Sequence, residues 1–385
     1  MSLHESSIDD FGYIAPTPLP QHEWNLTGPP PDKSKIMDYG YVVEGTAVGC
    51  TARELFETVK QRRAEISFVW TPETPQPVRP EQVPFLTEAF RQIEVGQARN
   101  SMLFGAVVLV VGVVLALLYP GFDSVSRALC AIVGGVALAA GNWRYWRARY
   151  YYTQEDAISE ASETRFREWL KDKSVSGYTI IVLASIILVS LVQAVAPDSM
   201  ALSGLVKSAV LRGEVWRLFT APFMHASFHH LLVVGFLVFW FSKIIEQTTQ
   251  RAFVPLVFFV SAAVGSVFSM VFSPETTAMG GAGGLAGLVG FIVAAAWLNP
   301  AKFPPRYYKR TLTTLLSLGS VGLLGLPYID NAAHLGGLLT GSLLGWLFTG
   351  GSWLPVTGKL AKLIGAGGVL ALVSTAVFAI SRMLS

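Results

Sequence analysis

Nine apolar runs follow one another from residue 102 to the end of this 385-residue chain. A bilayer core of ~30 Å takes about 20 residues of helix, and only helices or closed barrels satisfy their backbone groups there. Runs of this length and number therefore restrict the chain to a polytopic helical membrane protein. The predicted spans cover 102–119, 127–143, 178–196, 229–246, 251–273, 281–299, 311–326, 332–349 and 360–381. Composition agrees, with 52% hydrophobic and 14% charged residues against roughly a quarter charged in soluble domains. The first hundred residues differ: Arg53, Glu54, Glu57, Lys60, Arg62, Arg63 and Glu65 crowd one short stretch.

Basic residues set the expected orientation. Arg144, Arg147, Arg149, Arg165, Arg167, Lys171 and Lys173 lie between the second and third spans. Lys302, Arg306, Lys309 and Arg310 follow the sixth, and Lys359 and Lys362 precede the ninth. Placing these linkers in the cytoplasm puts the N-terminal domain there too, and linker 197–228 outside. Trp143, Tyr145, Trp146 and Tyr150 to Tyr152 suit an aromatic belt at the inner interface.

Residues 1–35 are rich in Pro, Asp and Ser and read as a flexible arm, without the basic and apolar regions of a signal peptide. Residues 36–100 alternate strand and helix character, predicting a small cytosolic α+β domain. "TARELFETVKQRR" opens with Thr51 and Glu54 in capping-box spacing. "PEQVPFLTEAFRQIEVGQA" is a second helix candidate. Two additional transmembrane helices occupy 101–145, a cytoplasmic linker helix 146–177, and a further C-terminal transmembrane helix 351–385. Cys50 and Cys130, the two cysteines, have neither disulfide-framework nor metal-site spacing.

"MGGAGGLAGLVG", residues 279–290, holds six glycines in twelve residues inside an apolar run. Lipid supplies no hydrophobic drive between helices, so small residues mark surfaces where backbones meet. Gly283, Gly287 and Gly290 form one such stripe, and Gly337, Gly341 and Gly345 in "HLGGLLTGSLLG" form another. His334 stands one turn before Gly337 on its stripe. If the stripes pack, residue 282 and His334 meet near the outer end. Ionisable groups in spans default to a functional role, and His225, His230 and His334 all fall at outer span ends. Glu246 is the lone acid in the core spans, near the inner end, with a structural hydrogen-bonding role expected.

These segments resemble the rhomboid family of intramembrane serine proteases. The resemblance covers about 178–350 and implies a rhomboid-like six-helix core within a membrane all-α fold. "EVWRLFTAPFMHASFHHLL" carries the Trp-Arg motif as Trp216 and Arg217 and the histidine pair as His225 and His230. "GGAGGLAGLVG" sits on the family's nucleophile segment, and "IDNAAHLGGLLTGSLLG" on the segment of its catalytic histidine, here His334. The resemblance puts the oxyanion region at His230 and Gly281. It gives structural roles to Trp216, Arg217, His225, Glu246, Gly287, Gly337 and Gly341.

The chain departs from the family at several of these positions. The nucleophilic serine falls on Ala282, and no Ser, Thr or Cys lies between Ala278 and Pro300. Val234 stands where the family commonly has an oxyanion-binding Asn. Ala286 stands where some members have an aromatic residue. Of the family's Gly-x-x-x-Glu-x-x-x-Gly only Glu246 is kept, between Ser242 and Gln250. Ala282 is open to two explanations, natural loss of catalysis and engineered replacement, and the drift at Val234 and Ala286 favours the first. A catalytically inactive membrane protein that binds transmembrane helices of client proteins is expected. The alternative is a rhomboid serine endopeptidase with a Ser-His dyad whose nucleophile has been replaced. No cofactor, metal or nucleic-acid partner is expected; the partners are transmembrane segments and the lipid bilayer. The location follows as a multi-pass protein of a bacterial inner or plasma membrane.

Overall fold

The computed structural model describes residues 38–43, 46–62, 66–74, 77–119, 124–273, 276–313, 315, 330–350 and 358–385. The predicted arm 1–35 and most of the predicted span 311–326 lie outside the described residues. The chain divides into two units, residues 1–107 with 137–168, and residues 108–136 with 169–385.

In the first unit, strands β1 (Tyr39–Val43), β2 (Thr46–Cys50) and β3 (Ile66–Trp70) form an antiparallel sheet of order β2-β1-β3. Helix α1 (Ala52–Arg62) follows β2, and Thr51 and Glu54 cap it reciprocally. Leu55 and Val59 on its buried face join Cys50, Ile66, Val69, Leu86 and Phe90 in one apolar cluster. Charged pairs tie the helical part of the unit together: Arg144 to Glu94 at 2.6 Å, and Arg165 to Glu81 at 2.5 Å.

Helices α2 (Thr87–Leu118) and α3 (Ser124–Tyr150) are longer than the sequence patterning predicts, whereas α4 (Gln154–Lys171) is shorter than the expected linker helix 146–177. A polar helix and the first span, expected as separate elements, are one helix of 32 residues in α2. "GQARNSM" between them contains no proline, and a lone Gly96 does not stop a helix that is anchored on both sides.

The second unit holds α5 (Gly177–Val195), α9 (Phe228–Thr248), α10 (Phe253–Phe272), α11 (Ala282–Leu298), α12 (Asn331–Thr349) and α13 (Gly358–Leu384). Linker 197–228 carries short elements: α6 (Ser199–Ser203), β4 (Leu205–Val206), α7 (Lys207–Leu211) and α8 (Arg217–Thr220). β4 pairs antiparallel with β5 (Thr277–Ala278), and that pairing holds the linker against the chain that enters α11. Five helices among the described residues are long and apolar enough to cross a membrane, and α11 is a shorter apolar helix. The protein is an integral, multi-pass, mainly helical membrane protein.

One end of this unit is closed by Glu246. Its carboxylate accepts from the Ser176 N–H at 2.7 Å, the Ser176 hydroxyl at 2.5 Å and the Thr179 hydroxyl at 2.6 Å. These bonds join the end of α9 to the start of α5. Burying a carboxylate is tolerable because its lone pairs are occupied.

Candidate functional site

The other end of the unit carries the histidines. The chain enters α11 through Gly280, whose φ of +113° lies in the left-handed region that glycine occupies without strain. Its N–H donates to the Ala221 carbonyl at 3.0 Å. A Cβ at this position would lie 3.0 Å from Cε1 of His230, so glycine also permits a close approach. Gly281 caps the helix and Ala282 is its first residue.

Helix α11 meets α12 through bare backbone. A side chain at Gly337 would collide with the Gly283 carbonyl, and one at Gly341 with the Gly287 carbonyl. Lipid-embedded helices pack at such distances only where both faces are small. A Cβ on Gly283 would stand 3.3 Å from the Ala333 carbonyl oxygen. The residues next to Ala282 and His334 in the chain are thus in contact. Gly290, grouped by sequence with the same stripe, faces the Leu338 carbonyl and Ser342.

Asp330 orients His334. The Asp330 carboxylate accepts from the Ala333 N–H at 2.9 Å and caps α12, and its carbonyl lies 2.8 Å from Nδ1 of His334. A carbonyl only accepts, so Nδ1 carries the proton and Nε2 keeps its lone pair. That is the tautomer a general base on Nε2 requires.

His225 and His230 lie with ring centroids 5.1 Å apart. Nδ1 of His225 lies 3.2 Å from the Phe223 carbonyl and 3.1 Å from the Ser190 hydroxyl. Gln193 grips its backbone twice, accepting from the His225 N–H and donating to the His225 carbonyl, each at 2.8 Å. Burial, with His230 beside it, pushes the His225 imidazole down to about 4, so it is neutral. Nε2 of His225 and Nδ1 of His230 have no hydrogen-bond partner among the described residues.

Val234 is buried, and its Cγ1 lies 3.5 Å from where a Cβ on Gly281 would sit. An apolar side chain therefore borders the start of α11. Ala286, one turn along α11, is also buried.

Gly280 to Ala282, Val234, His225, His230 and His334 are thus gathered at one end of the bundle. Glu246 is at the other end. Arg217 is buried in the linker, where it donates to the Gly204 carbonyl at 2.9 Å and pairs with Glu214 at 2.6 Å. Trp216 packs edge-on against Phe378 of α13. Sequence reasoning missed Gln193, Ser190 and Asp330. Gln193 and Ser190 were visible as polar residues in an apolar run. Among the described residues no group of three or more His, Cys, Asp or Glu could hold a metal ion.

This arrangement coincides with the part of the chain that matches a known family. Residues 212–351 match the rhomboid domain. RHOMBOID-like protein 6, mitochondrial, from Arabidopsis thaliana is 35% identical over 148 residues, 37% of this chain and 46% of that protein. Inactive RHOMBOID-like protein 8 of Arabidopsis thaliana is 29% identical over 33% of this chain and 36% of its own length. Inactive rhomboid protein 1 of Danio rerio is 28% identical over 35% of this chain and 16% of its own. The alignments span less than half of each of these relatives. The rhomboid domain takes in α9 to α12 and so includes every histidine of the site, whereas α5 and α13 lie outside it.

Proposed function

We propose that this rhomboid-type protein binds transmembrane helices of client membrane proteins and does not cleave them. Ala282 is the observation that carries this reading. It begins α11 where its neighbour Gly283 touches the neighbour of His334, and its methyl group has no atom to attack a carbonyl. A base without a nucleophile leaves only weak assistance to water, since loss of a triad-type nucleophile removes most of the catalytic gain. Val234 beside Gly281 supports the same reading, because the surroundings have lost a donor as well as the nucleophile. Two inactive rhomboid proteins among the relatives fit it too. In this reading residues 36–100 belong to a cytosolic domain, which the basic linkers support.

The test is to reconstitute the full-length protein in lipid nanodiscs with a fluorescent single-span peptide. The expected result is energy transfer that saturates with peptide and a peptide of unchanged mass after prolonged incubation. Cleavage by the parent protein, or transfer no greater than in nanodiscs containing an unrelated polytopic protein, would overturn the proposal.

A further inference from the structure

Helix α13 lies outside the rhomboid domain, yet its two ends engage the rest of the second unit differently. At its start, Gly365 and Gly368 pack closely on Ala252, Leu256 and Tyr178. This is ordinary small-residue packing between helices. At its far end the contacts are specific. The Ser203 hydroxyl donates to the Ala379 carbonyl at 3.2 Å. The Phe378 ring meets Trp216 at 6.1 Å and 76°, and the Arg382 guanidinium carbon stands 5.6 Å over the same indole. Edge-on aromatic pairs and cation–π contacts are directional, so they fix where the indole stands.

The residues gripped by α13 lead directly to the site. The Ser203 carbonyl accepts from the Thr220 hydroxyl at 2.7 Å, and the adjacent Gly204 carbonyl accepts from Arg217. The next two residues are β4, paired in register as Leu205 to Ala278 and Val206 to Thr277. The Lys207 N–H extends the pairing to the Thr276 carbonyl at 3.1 Å. Two residues after Ala278 comes Gly280, bonded to Ala221, which is itself next to Thr220. Both strands of this two-residue ladder therefore depend on the linker, and the linker is held at Ser203 and Trp216 by α13. Ser203, Leu205 and Thr220 are fully buried, so the path is packed along its length.

We infer that Phe378 and Arg382 of α13 are positioning residues for the start of α11: they hold the linker, and through the β4–β5 ladder they set where Gly280 to Ala282 stand against His230. This role concerns the geometry of the site. It holds whether the site cleaves or only binds, so its test does not depend on client binding.

The experiment uses the full-length protein in lipid nanodiscs, with amide hydrogen exchange resolved at Lys207 and Gly280 and histidine-labelled NMR of the His230 ring. In Phe378→Ala the Lys207 and Gly280 amides are expected to exchange about tenfold faster, with amides of α10 and α12 unchanged. The His230 Cε1–H resonance should move, because Gly280 packs on that atom. Phe378→Tyr should restore both readouts, and Arg382→Gln should give a smaller change of the same kind. Val377→Ala, which trims a lipid-exposed neighbour, should change nothing. Unaltered exchange at Lys207 and Gly280 in both Phe378→Ala and Arg382→Gln would overturn the inference. So would equal acceleration across all helices, since α13 would then support the fold without positioning the site.

Discussion

The two ends of the rhomboid-containing unit solve the problem of polar groups in a membrane protein in opposite ways. At one end the Glu246 carboxylate takes three hydrogen bonds from Ser176 and Thr179, and Lys243 donates to the Lys171 carbonyl. At the other end His225 and His230 each keep a ring nitrogen without a partner among the described residues, and His334 is bonded through Nδ1 alone. A satisfied polar group is a clamp, and an unsatisfied one is available to a ligand or a reaction. The difference marks the histidine end as the one with polar groups still open to a partner.

The comparison breaks most readily at the clamp. Glu246→Ala strands three donors near the start of α5 and is expected to destabilise the protein by about 3 kcal/mol. His334→Ala removes one bond to a carbonyl at a half-exposed helix end and should cost about 1 kcal/mol or less. Denaturant titration in mixed micelles, followed by near-ultraviolet circular dichroism, measures both. Equal losses would mean that the two ends do not differ in structural duty.

Acid should act on the histidine end. His225 is neutral in the fold with its imidazole pushed to about 4, against about 6.5 in an unfolded chain. The unfolded state then binds more protons between these values, so stability falls as pH drops from about 6.5 toward 4. The full effect is on the order of 3 kcal/mol, and His225→Gln should flatten the profile. A profile unchanged by that substitution would assign the acid sensitivity elsewhere. Gln193→Ala, which frees the backbone of His225 from α5, is expected to cost about 1–2 kcal/mol in the same titration. A smaller loss would mean that Ser190 and the Phe223 carbonyl hold His225 without Gln193.

Parts of this contrast were legible in the sequence, for identifiable reasons. Glycine at four-residue spacing says which faces of α11 and α12 meet, because in lipid only small residues allow that approach. Glu246 stands out in the sequence as the lone acid of the core spans. The partners of these groups were not legible. Gln193 reaches His225 across 32 positions, and spacing along one helix carries no trace of a partner on another. The pairing of β4 in the linker with β5, some 70 residues away, was not legible for the same reason. The union of two expected elements in α2 shows a separate error, in which a change from polar to apolar composition was taken as a break in the helix.

The smallest effect on stability should come from Ala282, the residue on which the proposed function turns. Ala282→Ser adds one oxygen at the first residue of α11, where the backbone N–H groups of a helix start can accommodate it, and should change stability by less than about 0.5 kcal/mol. Its chemistry separates the two deficits that the proposed reading assigns to the site. If the nucleophile were the only deficit, Ala282→Ser alone would react with a fluorophosphonate probe, because His334 already presents Nε2. Val234 packed at Gly281 argues for a second deficit, since no side-chain donor there meets the charge that develops on attack. The single variant is therefore expected to label slowly or not at all, and Ala282→Ser combined with Val234→Asn to label about a hundredfold faster, the usual worth of one oxyanion donor. Equal labelling of the single and double variants would show that backbone donors at the start of α11 suffice. The alanine would then be the only catalytic deficit in an otherwise intact rhomboid site.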